Sequence, residues 1–152
     1  MSEIDWLQML EYRQSLHRLS RTLLSRGKDA TLTASELELL SLLYLEPAQN
    51  TPLALSARSA TKKEAVSRSI RQLTEKGLLE KQPNPLDDRS YTLSLTEEGS
   101  RKLRENYGAI LGPMYALRRA MGDDFVTLFH LLQRADGLMQ HNAPAAERNS
   151  EV

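Results

Sequence analysis

The stretch from Thr51 to Thr96 constrains this chain most, because it contains a sharply bounded amphipathic helix followed by a polar-tipped hairpin. Thr61, with Glu64 three residues later, matches a capping box, which predicts a helix that begins just after Thr61. Gly77 tolerates the left-handed backbone that commonly ends a helix, so we expect the helix to stop there. Helical spacing predicts a buried stripe formed by Val66, Ile70 and Leu73.

The opposite side of this helix is polar and basic, and it carries Lys62, Lys63, Ser67, Arg68 and Arg71. Seven basic and three acidic residues lie between Arg58 and Lys81, a local net charge of +4 in a chain whose overall net charge is zero. Such a face suits the major groove of DNA, where Arg and Lys read guanine edges and Ser reaches bases or phosphates. A solvated basic face without a partner is equally compatible with the helix alone.

A two-stranded hairpin is predicted after this helix. Leu78–Lys81 forms a short strand, and Tyr91–Leu95 alternates apolar and polar residues as a half-buried strand does. Arg89, in the polar connection between them, is placed to enter a narrow minor groove, and Asp87 could hold it by a charge-assisted bond. An ordinary surface hairpin with a weak ion pair is the alternative. The order of short helix, turn, second helix and hairpin predicts a winged helix-turn-helix.

Three linked motifs in this stretch resemble the MarR family of bacterial transcriptional regulators. They are Leu73-x-x-x-Gly77-Leu78-Leu79 at the end of the second helix, Asp87-x-Arg89 in the wing and Leu95-Thr96-x-x-Gly99 at the start of the next helix. The resemblance is strong from about Leu32 to Gly99. It implies a homodimer that binds a palindromic double-stranded operator and represses transcription, often until a small molecule or an oxidant releases the DNA.

The residues expected to contact DNA are Thr61, Lys62, Lys63, Glu64, Ser67, Arg68, Arg71, Asp87 and Arg89. Two departures from the family pattern affect this surface. Ser59 and Ala60 replace an apolar residue and a glycine before the second helix, so the short first helix could pack differently. Asp88 replaces an arginine that many relatives carry in the wing, which should weaken phosphate attraction there.

The rest of the chain is predicted to be helical, so the fold class is mainly α with a small β-hairpin wing. A first helix is expected from about Glu3 to Ser25, and an almost wholly buried second helix is expected to start at the Thr33–Glu36 capping box. Thr51 and Pro52 should begin the next one. After the wing, a long helix from Thr96 to about Ala120 should kink at Pro113, and Asp123 and Asp124 should open the last helix.

The first and last helices carry more apolar surface than a winged helix needs. We therefore expect a helical dimerisation region formed by residues 1–30 and 97–141, a DNA-binding domain over 31–96 and a disordered tail over 142–152. Two-fold symmetry is the simplest way to hold two recognition helices about one DNA turn, ~34 Å, apart. The alternative is that these helices pack only within one chain.

A small aromatic or carboxylate effector is the ligand that the resemblance suggests, bound between the DNA-binding lobe and the dimer helices. The candidate lining residues are Tyr12, Arg13, Leu16, His17, Tyr44, Tyr107 and Met114. Tyrosine rings would supply aromatic faces, and Arg13 or His17 would supply a polar anchor. For any one tyrosine, a core position with a satisfied hydroxyl is the preferred alternative.

Several kinds of chemistry have no support in the sequence. There is no cysteine, no set of nucleophile and base, no glycine-rich phosphate loop and no metal-ligand spacing among the three histidines, so we expect no enzyme activity, cofactor or metal site. No stretch is long and apolar enough to cross a bilayer, and we expect a cytoplasmic protein. A winged helix used for protein contact without DNA binding is the main competing function, and a small-molecule enzyme on a helical scaffold is a weaker one.

Overall fold

The computed structural model describes residues 4–24, 31–59, 61–84 and 87–142. Within these ranges the chain is mainly helical with one antiparallel hairpin, which confirms the predicted fold class. The elements are α1 (Trp6–Leu23), α2 (Ala34–Leu45), α3 (Pro52–Arg58), α4 (Lys63–Glu75), β1 (Leu79–Asn84), β2 (Asp87–Leu95), α5 (Glu97–Ile110), α6 (Gly112–Met121) and α7 (Asp124–Asn142). They form two compact units, Met1–Leu111 and Gly112–Val152. The predicted division into DNA-binding and dimerisation regions is a functional one and stays a prediction.

The core of the first unit is built around α2, which packs against α3, α4, α5 and β2. It consists almost entirely of leucine, and its buried members are Leu32, Leu37, Leu39, Leu40, Leu43, Leu55, Val66, Ile70, Leu73, Leu78, Leu79, Leu93 and Leu103. Each fully buried leucine contributes on the order of 2 kcal/mol to folding. The expectation that α2 is almost wholly buried is wrong at its last turn, where Leu45 is 74% exposed because it lines an open cavity.

Two helix starts lie where the sequence predicts them. At α2, the Thr33 hydroxyl accepts from the Glu36 N–H at 3.2 Å, and the Glu36 carboxylate accepts from the Thr33 N–H at 2.8 Å. At α3, Thr51 caps the helix and Pro52 occupies the first turn, where its missing N–H is not needed. Both predictions are confirmed. The sequence could predict these caps because the partner of each cap is only three residues away.

The first helix, α1, is shorter than predicted, and it begins at Trp6 because Asp5 caps it. The Asp5 carboxylate accepts from the Gln8 N–H at 2.8 Å, and Gln8 completes a capping box that the sequence analysis missed. The predicted ends at Glu3 and Ser25 lie outside the described residues. No residue of α1 is buried.

The prediction that Thr61 caps the recognition helix is wrong. The N-cap of α4 is Lys62, which makes no side-chain cap, and the helix begins at Lys63. Thr61 instead pairs with the preceding turn: its hydroxyl lies 2.7 Å from the Ser59 hydroxyl, and its N–H donates to Ser59 Oγ at 3.1 Å. Ser59, which departs from the family pattern, therefore binds Thr61, and Thr61 does not cap α4. At the other end Gly77, with φ +70°, terminates the helix as predicted.

The hairpin is longer than the sequence indicates, because β1 continues to Asn84 and β2 starts at Asp87. Leu79 pairs with Leu95 and Pro83 pairs with Tyr91, and the register shifts between Pro83 and Asn84. On the other edge of β2, the Leu93 N–H donates to the Asn50 carbonyl at 2.9 Å. That bond fixes the base of the wing to the connection between α2 and α3.

The long helix predicted after the wing is two helices. Thr96 caps α5 as expected, but α5 ends at Ile110, and α6 begins at Gly112. Pro113 thus occupies the first turn of a new helix, where it is tolerated, and causes no kink within an old one. In the second unit α6 contacts α7, and residues 143–152 of the predicted tail lie outside the described part. None of the described helices has both the length and the apolar character needed to cross a lipid bilayer.

Candidate nucleic-acid interface

Helix α4, which the sequence predicts to contact DNA, presents a buried face and an opposite polar face. Its buried residues are Val66, Ser69, Ile70 and Leu73, so the predicted stripe is confirmed and Ser69 extends it. Ser67, Arg68 and Arg71 are exposed on the other side. Because the buried residues recur with the 3.6-residue period of an α-helix, they occupy one face of α4, and the opposite face is exposed to solvent.

The fold engages several of the seven basic residues counted in the sequence. Arg58 pairs with Glu46 at 3.1 Å and donates to the carbonyls of Leu42 and Gln49, each at 3.4 Å. Lys76 pairs with Glu36, and Lys81 lies 4.8 Å from the centroid of the Tyr91 ring. A count along the sequence therefore overstates the basic surface available to a partner.

The basic residues that remain lie at the start and along the solvent face of α4. Lys62, Arg68 and Arg71 are exposed and have no partner among the residues that the structure describes. Lys63 is also exposed, at the first position of the helix, and Glu64 follows it. Lys62, Arg68 and Arg71 share one surface of the first unit, and no ion pair among the described residues neutralises their three charges.

The N-terminus of α2 holds α4 at two points. The Lys76 ammonium donates to Glu36 Oε1 at 2.5 Å, and the Ser69 hydroxyl donates to Ser35 Oγ at 2.9 Å. Burial raises the pKa of the Glu36 carboxyl, but the hydrogen bonds from Lys76 and Thr33 outweigh it, so the pKa lies below its ordinary value. The carboxylate of Glu36 is only 1% exposed and is fully paired, and it ties the end of the recognition helix to the core.

Two of the sequence motifs meet in a single junction behind α4. The Thr96 hydroxyl donates to the Gly77 carbonyl at 2.7 Å and accepts from the Gly99 N–H at 2.9 Å. The Thr96 N–H donates to the Leu78 carbonyl at 3.2 Å. A Cβ atom on Gly99 would lie 2.1 Å from that same carbonyl oxygen, so only glycine fits there. The junction joins the end of α4 to the start of α5.

At the two wing residues that the sequence predicts to contact DNA, the structure describes the backbone only. Asp87 and Arg89 belong to β2, but their side chains lie outside the described part, so the predicted ion pair stays a prediction. Next to them, the Asn84 side-chain amide donates to the Ser90 hydroxyl at 2.9 Å and links the two strands.

Acidic and basic side chains balance one another on the exposed face of α5. Arg101 hydrogen-bonds to Glu98 and Glu105, and Lys102 lies 3.4 Å from Glu105. The hydrogen bond from Arg101 lowers the pKa of the Glu98 carboxyl. These are solvent-exposed pairs of the kind that contribute little to stability, and they give this helix no net basic face.

A cavity of about 370 Å³ lies between α2 and α5, and we call it the α2–α5 cavity. Its lining residues are Ser41, Tyr44, Leu45, Leu103, Arg104, Tyr107 and Leu111. Two predicted ligand residues, Tyr44 and Tyr107, are therefore brought together. Leu103 and Arg104 were missed, although their spacing from Tyr107 places all three on adjacent sides of one helix.

The remaining predicted ligand residues lie elsewhere. Tyr12, Arg13, Leu16 and His17 are exposed on α1 and are not among the described residues that line the α2–α5 cavity. Met114 belongs to the second unit. Across the described ranges, no group of three or more His, Cys, Asp or Glu side chains is placed to hold a metal ion.

Comparison with known proteins agrees with this geometry. Residues 32–99 match the winged helix DNA-binding domain family. Over 83 residues, 55% of this chain, the sequence is 34% identical to an uncharacterized HTH-type transcriptional regulator of Mycobacterium bovis. The match spans 57% of that relative's length.

Solved structures extend the similarity over nearly the whole chain. Wild-type MarR of E. coli in its apo form is 25% identical with a TM-score of 0.63, and the match covers 88% of this chain and 98% of that one. A mutant MarR of E. coli complexed with operator DNA is 23% identical with a TM-score of 0.63, covering 87% of this chain and 99% of that one. The matched domain, the three sequence motifs and the shared fold show a winged helix DNA-binding domain in a chain that is similar to the MarR regulators.

Proposed function

We propose that this chain is a homodimeric, sequence-specific DNA-binding transcriptional repressor that a small-molecule ligand releases from its operator. The observation that carries the proposal is the solvent face of α4, where Arg68 and Arg71 project opposite the buried stripe and have no partner among the described residues. A helix anchored on one face by a core and basic on the other is suited to the major groove.

The positions of the basic residues suggest which of them contact bases and which contact phosphates. Arg68 and Arg71 lie midway along the exposed face, and we expect them to read base edges. Lys62 and Lys63 lie at the helix start, and we expect them to bind phosphates. Arg89 of the wing would enter the adjacent minor groove. The E. coli protein that shares this fold has been solved with operator DNA, which supports this mode of binding.

Dimerisation is supported by α1, which has no buried residue although it is rich in apolar side chains. Its exposed large hydrophobic residues include Trp6, Leu7, Met9, Leu10, Tyr12 and Leu16, and Trp6 is 77% exposed. On α7, Val126, Leu131, Leu138 and Met139 are exposed as well. So much apolar surface is characteristic of an interface, and a second copy would cover it while setting the spacing of two α4 helices.

The α2–α5 cavity supports the ligand proposal. Its wall is almost entirely apolar, with Tyr44 and Tyr107 as aromatic faces and Arg104 as the one charged group among its described lining residues. A small aromatic carboxylate fits this combination, because the ring is buried against leucine and tyrosine while the carboxylate pairs with a guanidinium.

The test is to select operators from a random DNA library with the full chain and then to measure affinity by fluorescence anisotropy across a salt series. The parent should select a palindrome and lose affinity as salt rises. Arg71→Ala and Arg68→Ala should each change the selected bases as well as the affinity, by about 1–3 kcal/mol at the affected base. Arg119→Ala, an exposed arginine of α6, is the control and should change neither. A parent that selects no sequence, with tight binding to a protein partner, would favour the protein-contact alternative.

A further inference from the structure

A second cavity, of about 440 Å³, lies at the base of the wing. Its lining residues, which define what we call the wing-base cavity, are Leu43, Tyr44, Pro47, Asn50, Leu93, Ser94 and Leu95. We propose that the wing-base cavity is a separate small-molecule site, and that it takes neutral planar aromatic compounds carrying an amide. Nothing in the sequence pointed to it, because its walls come from the end of α2, the α2–α3 connection and β2.

The floor of the wing-base cavity is apolar and rigid. Leu43 is 2% exposed and Leu93 is 1% exposed, so both belong to the leucine core and cannot move aside without disturbing it. The Tyr44 ring and Pro47 add flat apolar surfaces at the side. An aromatic ring placed there would be removed from water against close-packed neighbours, which is the main source of affinity in small-molecule sites.

The rim of the wing-base cavity offers hydrogen bonds that the protein does not use. Within the described ranges, the Asn50 amide and the Tyr44 hydroxyl have no hydrogen-bond partner. Asn50 is held in place because its carbonyl accepts from Leu93. Its side-chain amide has one acceptor and two donors, which match the donors and acceptor of a ligand amide.

Charge separates the two cavities. No charged side chain is among the described residues that line the wing-base cavity, whereas the α2–α5 cavity carries Arg104. A carboxylate moved from water into the wing-base cavity would lose solvation without gaining a cationic partner. A neutral amide would lose less and would regain its hydrogen bonds at Asn50. The wing-base cavity should therefore prefer neutral aromatic compounds, and the α2–α5 cavity should prefer similar compounds that carry a carboxylate.

Benzamide and benzoate test this difference, because they have nearly the same shape and differ in charge. Each is titrated into the ¹⁵N-labelled full chain without DNA, so the outcome does not depend on the proposed regulatory function. Benzamide should shift the backbone amide signals of Asn50 and Ser94 with a dissociation constant on the order of 1 mM, as expected for so small a molecule. Benzoate should shift Ser41 and Arg104 instead. Tyr44 lines both cavities, so a shift of its signal would not show which cavity is occupied.

Two variants check the assignment. Asn50→Leu keeps the backbone acceptor and the side-chain size, and it should weaken benzamide at least about fivefold while leaving benzoate unchanged. Tyr44→Phe keeps the ring and should weaken benzamide about threefold, which preserves the test if Asn50→Leu folds poorly. Absent benzamide shifts at Asn50 and Ser94, an affinity unaffected by both variants, or equal binding of benzoate in the wing-base cavity would overturn the inference. Loss of benzoate binding alone would count against the proposed effector cavity and leave this inference standing.

Discussion

Replacing Gly99 with alanine should destabilise the protein, whereas the same replacement at Gly108 in the same helix should not. The added Cβ at position 99 would lie 2.1 Å from the Leu78 carbonyl oxygen, well inside contact distance, and the obstacle is backbone that cannot rotate away. At Gly108 the added Cβ would meet nothing within 4 Å. The two substitutions therefore have identical chemistry and opposite surroundings.

The expected magnitude follows from two opposing effects. Overpacking of a rigid site costs about 1–3 kcal/mol. Alanine gains up to about 1 kcal/mol over glycine in a helix interior, and less near a helix start. Relief of the clash also lengthens the bond from the Thr96 N–H to the Leu78 carbonyl, now 3.2 Å. We therefore expect Gly99→Ala to lower the free energy of unfolding by about 1–2 kcal/mol, and Gly108→Ala to leave it unchanged or raise it by up to about 1 kcal/mol.

Urea unfolding followed by circular dichroism measures both variants at one protein concentration, which matters for a chain proposed to dimerise. Because the junction at Gly99 also fixes the end of α4, Gly99→Ala should lower operator affinity under conditions where it is still folded. Equal unfolding free energies for the two alanine variants would refute the reasoning, since the steric difference between the two positions would then have no energetic consequence.

Other predictions concern charges and the dimer. Because the folded-state pKa of Glu36 lies below its ordinary 4.5, its stabilising contribution is complete above that value and is lost as the pH falls through the folded pKa. Glu36→Gln should thus lower the free energy of unfolding, measured with urea at pH 7, by about 1–2 kcal/mol. The variant should also lose less stability than the parent as the pH falls below 4.5. An unchanged dependence of stability on acid pH would contradict this. Lys62→Ala should reduce the slope of log affinity against log salt by about 0.9, whereas Arg58→Ala should lower stability and leave the slope unchanged. Leu16→Glu should shift the mass measured by light scattering toward the monomer, and an intact dimer would remove the exposed face of α1 from the interface.

Local sequence signals determined most of the secondary structure of this protein. The caps at Thr33 and Thr51, the stop at Gly77 and the buried stripe of α4 all depend on groups within four residues of one another, so the chain encodes them without tertiary context. The three motifs that resemble the MarR family are also short enough to be recognised in the sequence alone. The local prediction failed at Thr61, because Thr61 hydrogen-bonds to the nearby Ser59 and does not cap α4. The rule for helix capping does not take such a competing partner into account.

Only the tertiary structure decided which basic residues are available to a partner and where cavities form. Arg58 and Lys76 were counted in the local charge of +4, yet they form ion pairs with Glu46 and Glu36, which lie twelve and forty residues away in sequence. The two cavities likewise join α2 to α5 and α2 to β2. Charge compensation and cavity walls are produced by contacts between distant segments, whose geometry depends on how the whole leucine core packs and leaves no periodic mark on the sequence.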